Sequence, residues 1–274
     1  MESKSRIRIP DLLEMKRNGR KITMLTAYDA TMARLLDNAG IDVLLVGDSL
    51  GMVVLGEDST LGVTLEMMVH HTRAVVKGTR QALVVADMPF LSFQSSMRDA
   101  VRNAGKLMQQ GGAAAVKLEG GAAAAGAIRR LTDCGIPVMG HIGLVPQSVH
   151  QLGGFRPVGR TGAEADALLR DAEAVEGAGA FALVLESMPA KLAGRITEER
   201  SIPTIGIGAG VECDGQVLVS YDAFGFFDAF VPRFVKRYAE LGTEVTEAAR
   251  RYIDEVRRGE FPAREHSILT ESGA

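Results

Sequence analysis

Five short, mostly apolar runs each lead onto a side chain that can carry charge. Val43–Val46 stops at Gly47 and is followed by Asp48 and Ser49, and Leu83–Ala86 is followed by Asp87. Ala114–Leu118 contains Lys117 and is followed by Glu119; Ile136–Gly140 is followed by His141, and Phe181–Leu185 by Glu186. Runs of this length, without alternation, are short for helices and have the pattern of strands buried on both faces. A carboxylate at the carboxyl end of a buried parallel strand stands where α/β folds place their chemistry. Asp48, Asp87 and Glu119 suit a hard divalent cation such as magnesium, which takes a few carboxylate oxygens and completes its shell with substrate oxygens and water. Lys117, inside an apolar strand, needs an anion: a neighbouring carboxylate, or the carboxylate or enolate of a substrate. Glu186 leaves the apolar stretch FALVL and suits a general base. His141 taken alone fits a satisfied core histidine. For any single carboxylate a helix cap or surface ion pair competes, but the recurrence of one design favours a shared site.

The elements that would position these residues alternate along the chain. A loose arm over residues 1–9 leads to a short helix, Pro10–Arg17, with Pro10 in its first turn. Ile22–Thr26 is the first strand, and Asp29 caps a helix that runs to Gly40. After Val43–Val46 come a loop over residues 50–63 and a helix Thr64–Lys77. Leu83–Ala86 precedes a helix that opens on Ser96 and Asp99, with an apolar stripe of Met97, Val101, Ala104 and Met108. Ala114–Leu118 is followed by a helix Ala122–Cys134. After Ile136–Gly140 a long loop, Ile142–Gly162, has the glycine content of a hinged lid. Thr161 and Glu164 have capping-box spacing for a helix ending at Gly177. Phe181–Leu185, a helix from Pro189 to about Arg200, Ile202–Gly206 and a weak eighth strand, Val217–Val219, follow. The pattern is then helical from Val231 to about Arg258, before a tail. Eight apolar runs alternating with helices predict an α/β fold, a (β/α)8 TIM barrel in one domain; a doubly wound open sheet is the rival.

Composition narrows the function. The 274 residues are 46% hydrophobic, enough for one large aliphatic core without any Trp. A formal net charge of -3 gives no electrostatic case for nucleic acid or an anionic membrane. Cys134 and Cys213 stand alone, so neither a disulfide framework nor a zinc site is expected. With no signal-peptide core in MESKSRIRIP and no membrane-length apolar run, the expectation is a cytoplasmic enzyme. His70 and His71 are neighbours on a helix, face different ways, and read as ordinary helix residues. GIGAG at Gly206–Gly210 reads either as a weak phosphate cradle or as a tight turn beneath a ligand.

The motifs TAYD, LLVGDSLGMVVLGEDSTLGVT, ADMPF, VKLEGG, GHIGLVPQSV, GGFRPVGR, LVLESMP, IPTIGIGAG and DGQVLV, in this order, resemble the ketopantoate hydroxymethyltransferase (3-methyl-2-oxobutanoate hydroxymethyltransferase) family from about residue 7 to 266. The resemblance implies a (β/α)8 barrel that transfers a one-carbon unit from methylenetetrahydrofolate to α-ketoisovalerate (3-methyl-2-oxobutanoate) in pantothenate biosynthesis. It also implies a need for magnesium and assembly as a homodecamer. By matching motif it makes Asp48 and Asp87 metal ligands and Glu119 a further metal-site carboxylate. It places Asp48, Ser49, Asp87 and Lys117 against the keto acid, His141 on the pocket wall, and Glu186 as proton acceptor. Two departures, LGEDST where relatives often carry His or another residue before DST, and LGVT for the common LPVT, touch only loop detail. Three rivals remain at this level: a magnesium-dependent lyase or mutase of a related keto acid, a barrel isomerase of a sugar phosphate held at GIGAG, and a non-catalytic binding module.

Overall fold

The computed structural model describes residues 6–152, 154, 156–227 and 231–268. The outer parts of the expected arm and tail, residues 1–5 and 269–274, lie outside the described residues, as do Gly153 and Phe155 of the long loop. Among the described residues eight strands form one sheet: β1 (Ile22–Thr26), β2 (Val43–Val46), β3 (Leu83–Asp87), β4 (Ala115–Glu119), β5 (Val138–Gly143), β6 (Ala182–Glu186), β7 (Thr204–Ile207) and β8 (Gly215–Leu218). They pair in parallel in sequence order, and β8 closes on β1. The fold is therefore the (β/α)8 barrel, and the open doubly wound sheet is excluded.

Strand residues alternate in direction, and this decides what fills the barrel. Ile22, Met24, Val43, Leu45, Leu83, Val85, Ala115, Met139, Ala182, Val184, Ile205 and Val217 form one buried apolar cluster. Continuing the same parity toward the carboxyl ends, the next inward positions are Thr26, Asp87, Lys117 with Glu119, His141 and Glu186. The strand interior is apolar below and ionisable above, in register. Four strands, β3 to β6, run further than expected and take in their charged residues, because the ladder continues through them: Asp87 pairs with Lys117, Glu119 with His141, and Gly143 with Glu186.

The amino-terminal end of the barrel is closed by the helix Ile9–Arg17, whose Leu12 and Met15 join the same cluster. Lys16 on that helix donates to Asp214 Oδ2 at 2.7 Å and to the Thr197 carbonyl at 2.9 Å. Asp42 ahead of β2 accepts from the Thr23 N–H, and Asp214 ahead of β8 accepts from the Thr204 N–H. These carboxylates satisfy backbone donors where the strands begin, which buried N–H groups require.

The outer helices form where their caps predict. Asp29 accepts from the N–H groups of Thr31 and Met32, and Thr161 with Glu164 makes a reciprocal capping box. Ser96 caps Met97–Gln109, but the Asp99 carboxylate accepts from the hydroxyls of Ser95 and Ser96 rather than from a backbone N–H. The stripe expected on this helix is corrected: Ala100, Ala104 and Leu107 are buried, while Met97 is half exposed. Two alanines on one face let the helix approach the sheet closely, and that face wins over the bulkier one.

The loops also hold more structure than expected. Leu50–Val53 is a helical turn, and Pro146–Ser148 and Val149–Leu152 are turns of helix within the long loop. The chain divides into two compact units, one up to Ser220 and one from Tyr221 onward. In the second, the helix begins at Leu241 and not at Val231. The N–H groups of Tyr238 and Leu241 are taken by the carbonyls of Ala223 and Phe224, which holds the preceding segment out of a helix. No residue of Leu241–Arg258 is buried. Among the described residues no helix is long and apolar enough to cross a membrane.

Candidate active site

The carboxyl ends of β2 to β6 bring six of the seven expected side chains into one network. Asp87 Oδ1 lies 3.0 Å from Lys117 Nζ, and Asp87 Oδ2 accepts from the Asp48 N–H at 3.1 Å. Lys117 Nζ is 3.4 Å from His141 Nδ1. His141 Nδ1 is 3.6 Å from Glu119 Oε1, and His141 Nε2 is 3.0 Å from Glu186 Oε2. All of these residues except Glu186 are buried; the Glu186 side chain keeps 15% of its surface exposed. The seventh, Ser49, stands at the edge, its hydroxyl 2.9 Å from that of the buried Tyr28.

So many charges under cover shift one another. Burial, then the charges of Asp87 and Glu119, hold the Asp48 carboxyl well above its ordinary range. Burial also raises Asp87, against the opposing charge of Lys117. Burial alone would depress Lys117, but Asp87, Glu119 and Asp48 outweigh it and keep the ammonium protonated. Burial and Lys117 both push His141 down, yet its close contacts with the carboxylates of Glu119 and Glu186 win and lift it to about 9. Glu119 is raised by burial, but His141 and Lys117 bring it below its usual value. A histidine protonated on both nitrogens has no lone pair for Lys117. The 3.4 Å approach is therefore a like-charge contact, tolerated because Asp87 and Glu119 flank it.

Two polar atoms in the network lack an aligned hydrogen bond, Asp87 Oδ1 and His141 Nε2, although each faces an opposite charge. Asp87 Oδ1 thus keeps a lone pair for a further partner, beside a second carboxylate whose charge burial disfavours. That donor set fits a hard cation completed by substrate and water oxygens. It is not a closed protein cage: among the described residues no group of three or more His, Cys, Asp and Glu is arranged to hold a metal. Glu119 is turned to Gln147 and His141, its Oε2 accepting the Gln147 N–H at 2.9 Å.

Gln147 is the main residue that sequence reasoning passed over. Its Nε2 donates to Asp48 Oδ2 and to the Met88 carbonyl, both at 2.9 Å. An amide directly after the apolar run Ile142–Pro146 was the available signal. Tyr28, a phenol two residues past the end of β1, was a second; its carbonyl is bound by His71 Nδ1 at 2.6 Å, which gives His71 a structural task. Gly143, at φ +103°, is the one residue type the site accepts there: a Cβ would lie 2.2 Å from the Glu186 carbonyl oxygen. In the GIGAG turn a Cβ on Gly210 would lie 2.4 Å from that of Ala190, so packing accounts for that glycine.

A closed parallel barrel with a buried ionisable network at its carboxyl end defines a (β/α)8-barrel enzyme, since that end carries the active site in this fold. The sequence profile described as ketopantoate hydroxymethyltransferase matches residues 6–264. The 3-methyl-2-oxobutanoate hydroxymethyltransferase of Moorella thermoacetica is 57% identical over 98% of this chain and all of its own. That of Pelobacter propionicus is 54% identical over 97% and 99%. Among solved structures, phosphoenolpyruvate phosphomutase from Streptomyces platensis subsp. rosaceus superposes with a TM-score of 0.63 at 14% identity, covering 96% of this chain and 92% of that one. At that identity only the fold is shared. The chain belongs to the ketopantoate hydroxymethyltransferase family, and it is an enzyme, a transferase.

Proposed function

We propose that the enzyme makes ketopantoate from 3-methyl-2-oxobutanoate, with methylenetetrahydrofolate as one-carbon donor, as a step of pantothenate biosynthesis. Overall, C3 of the keto acid loses a proton and gains a bond to the donated carbon. Water supplies the hydroxyl oxygen, and tetrahydrofolate is returned. The names of the relatives support the product, and the site supports the route.

The observation that carries the reading is the arrangement in one buried layer of Asp48, Asp87 and Lys117 beside the Glu186–His141 pair. Asp48 and Asp87 would hold magnesium, with Glu119 beyond them, and the cation when bound would supply Lewis-acid charge beside the substrate's carboxylate and keto oxygens. Lys117 adds a fixed positive charge where negative charge grows on the enolate. Glu186 Oε2 faces His141, which leaves Oε1 to take the C3 proton. Before transfer Glu186 and His141 form a neutral ion pair; afterwards the pair carries one positive charge. That charge appears beside the enolate as it forms. Ser49, fixed by Tyr28, is the proposed edge contact for the substrate.

The test separates enolisation from transfer. With magnesium and without folate, the protein should exchange the C3 proton of 3-methyl-2-oxobutanoate for solvent deuterium, followed by proton NMR. Ketopantoate should appear only when methylenetetrahydrofolate is added. Absence of both signals would sink the proposal, and exchange without ketopantoate would favour a lyase or mutase of a related keto acid. We further propose a homodecamer, on family resemblance, and a cytoplasmic setting, supported by two free cysteines, Cys134 and Cys213.

A further inference from the structure

We propose that Gln147 is a positioning residue for the metal site: its amide sets the orientation of Asp48 and so the affinity for magnesium. The inference rests on the reading that Asp48 and Asp87 hold the cation.

Gln147 lies in the turn Pro146–Ser148 and is 6% exposed. All of its polar groups outside its own carbonyl are engaged. Nε2 gives one hydrogen to Asp48 Oδ2 and one to the Met88 carbonyl, and the backbone N–H goes to Glu119 Oε2. Oε1 accepts from Gln94 Nε2 at 3.1 Å, and Gln94 Oε1 in turn accepts from the Phe93 N–H. The direction of the amide is thereby fixed, because both partners of Nε2 are oxygens that only accept in their ionised or carbonyl forms. One residue of the loop after β5 thus ties the ends of β2, β3 and β4.

The consequence falls on Asp48. A carboxylate rotates readily about its last bond, and Asp48 otherwise has burial and two like charges against it. The Gln147 amide holds Oδ2, so Oδ1 is presented in one direction. Groups that orient a metal's ligands in this way typically change metal affinity or activity by about 10–100-fold when removed. A residue that only anchored the loop would change stability and leave the affinity alone.

Gln147→Met keeps the side-chain length and removes the donors. Calorimetric titration of the full chain with magnesium alone should show binding about 10–100-fold weaker than wild type. The melting temperature without metal should fall somewhat, because buried Asp48 and the Met88 carbonyl lose a donor, and the magnesium-induced rise should shrink. Should Gln147→Met not fold, Gln147→Asn, one methylene short, is read in the same way. Unchanged magnesium affinity in a folded Gln147 variant overturns the inference, whatever happens to the melting temperature. Gln94→Met, which frees only Oε1, should weaken binding less; a greater loss than in Gln147→Met also overturns it. If the wild type takes up no magnesium, the metal reading itself fails, and the two failures are told apart.

Discussion

Lys117 is the residue on which the charge balance of the barrel mouth turns. It is buried with Asp87, and Asp48 and Glu119 face it as well. Replacing it by Met leaves these carboxylates without their ammonium. Breaking one side of a buried pair costs about 3–5 kcal/mol, so Lys117→Met should melt at lower temperature. It should also raise KM for the keto acid and lower kcat, because ground and transition states are both anionic. A change in melting alone would make Lys117 a purely structural ion pair. Glu186 is tested on the proton-transfer step. Glu186→Gln keeps shape but accepts no proton, so C3 exchange should slow by about 10²–10⁴-fold. Magnesium affinity should barely move, since Glu186 lies across His141 from Asp87. Wild-type exchange rates in this variant would leave His141 as the next candidate base.

At the scale of elements, the ends of β5 and β6 show how tightly a strand can set a catalytic carboxylate. Gly143 pairs with Glu186, and the Leu144 N–H donates to the Glu186 carbonyl at 2.9 Å. Gly143→Ala adds a Cβ against that carbonyl oxygen, at a φ of +103° that also strains a side chain. The two strand ends must then part, and Glu186 moves with them. Displacement of a reacting group by about 1 Å is enough for roughly 10²-fold, so kcat should fall by about that factor. Unaltered kcat would mean that the loops, not the strand register, place Glu186. A second element carries a pH dependence of its own. Burial raises the Asp222 carboxyl to about 6, only partly offset by Arg237. A raised carboxyl contributes stability that is full below its unfolded value of about 3.9 and is lost as pH rises through about 6. Asp222→Asn removes that dependence. Denaturant unfolding should show the variant gaining on the wild type between about pH 4 and pH 7; a gap constant with pH would contradict it.

For the whole molecule, closure of the barrel is what turns scattered strand ends into one site. Asp48 and Glu186 are far apart in sequence, and their strands, β2 and β6, pair only with their immediate neighbours. The network passes from Asp87 to Lys117, to His141 and to Glu186 across three successive strand pairs. An open sheet with the same strands would leave Asp48 and Glu186 facing away from a common centre. The apolar layers beneath, sealed by Leu12 and Met15, deny water to this layer from below. That dry floor raises the carboxyls of Asp48 and Asp87, whereas at Lys117, His141 and Glu119 the neighbouring opposite charges outweigh it.

The alternation of apolar runs and helices, the charged residue at each run's end and the ordered motifs are local properties. They were legible in the sequence: the eight strands, the barrel, and the positions of Asp48, Asp87, Lys117, Glu119, His141 and Glu186. Strand parity also made the inward direction of Asp87, Lys117, Glu119, His141 and Glu186 a local fact; Asp48, one position past the inward-parity Gly47, is not covered by it. Which side chains touch was not local. Whether Glu119 turns to His141 and Gln147, whether Gln147 reaches Asp48, and which face of Met97–Gln109 packs all depend on distances between segments that meet only when the sheet closes. The start of the last helix at Leu241 follows the same rule, since the N–H groups of Tyr238 and Leu241 were claimed by carbonyls that are distant in the chain. The sequence determined the chemistry available at each strand end; the closed barrel decided the partners, because partners are set by packing across strands and not along them.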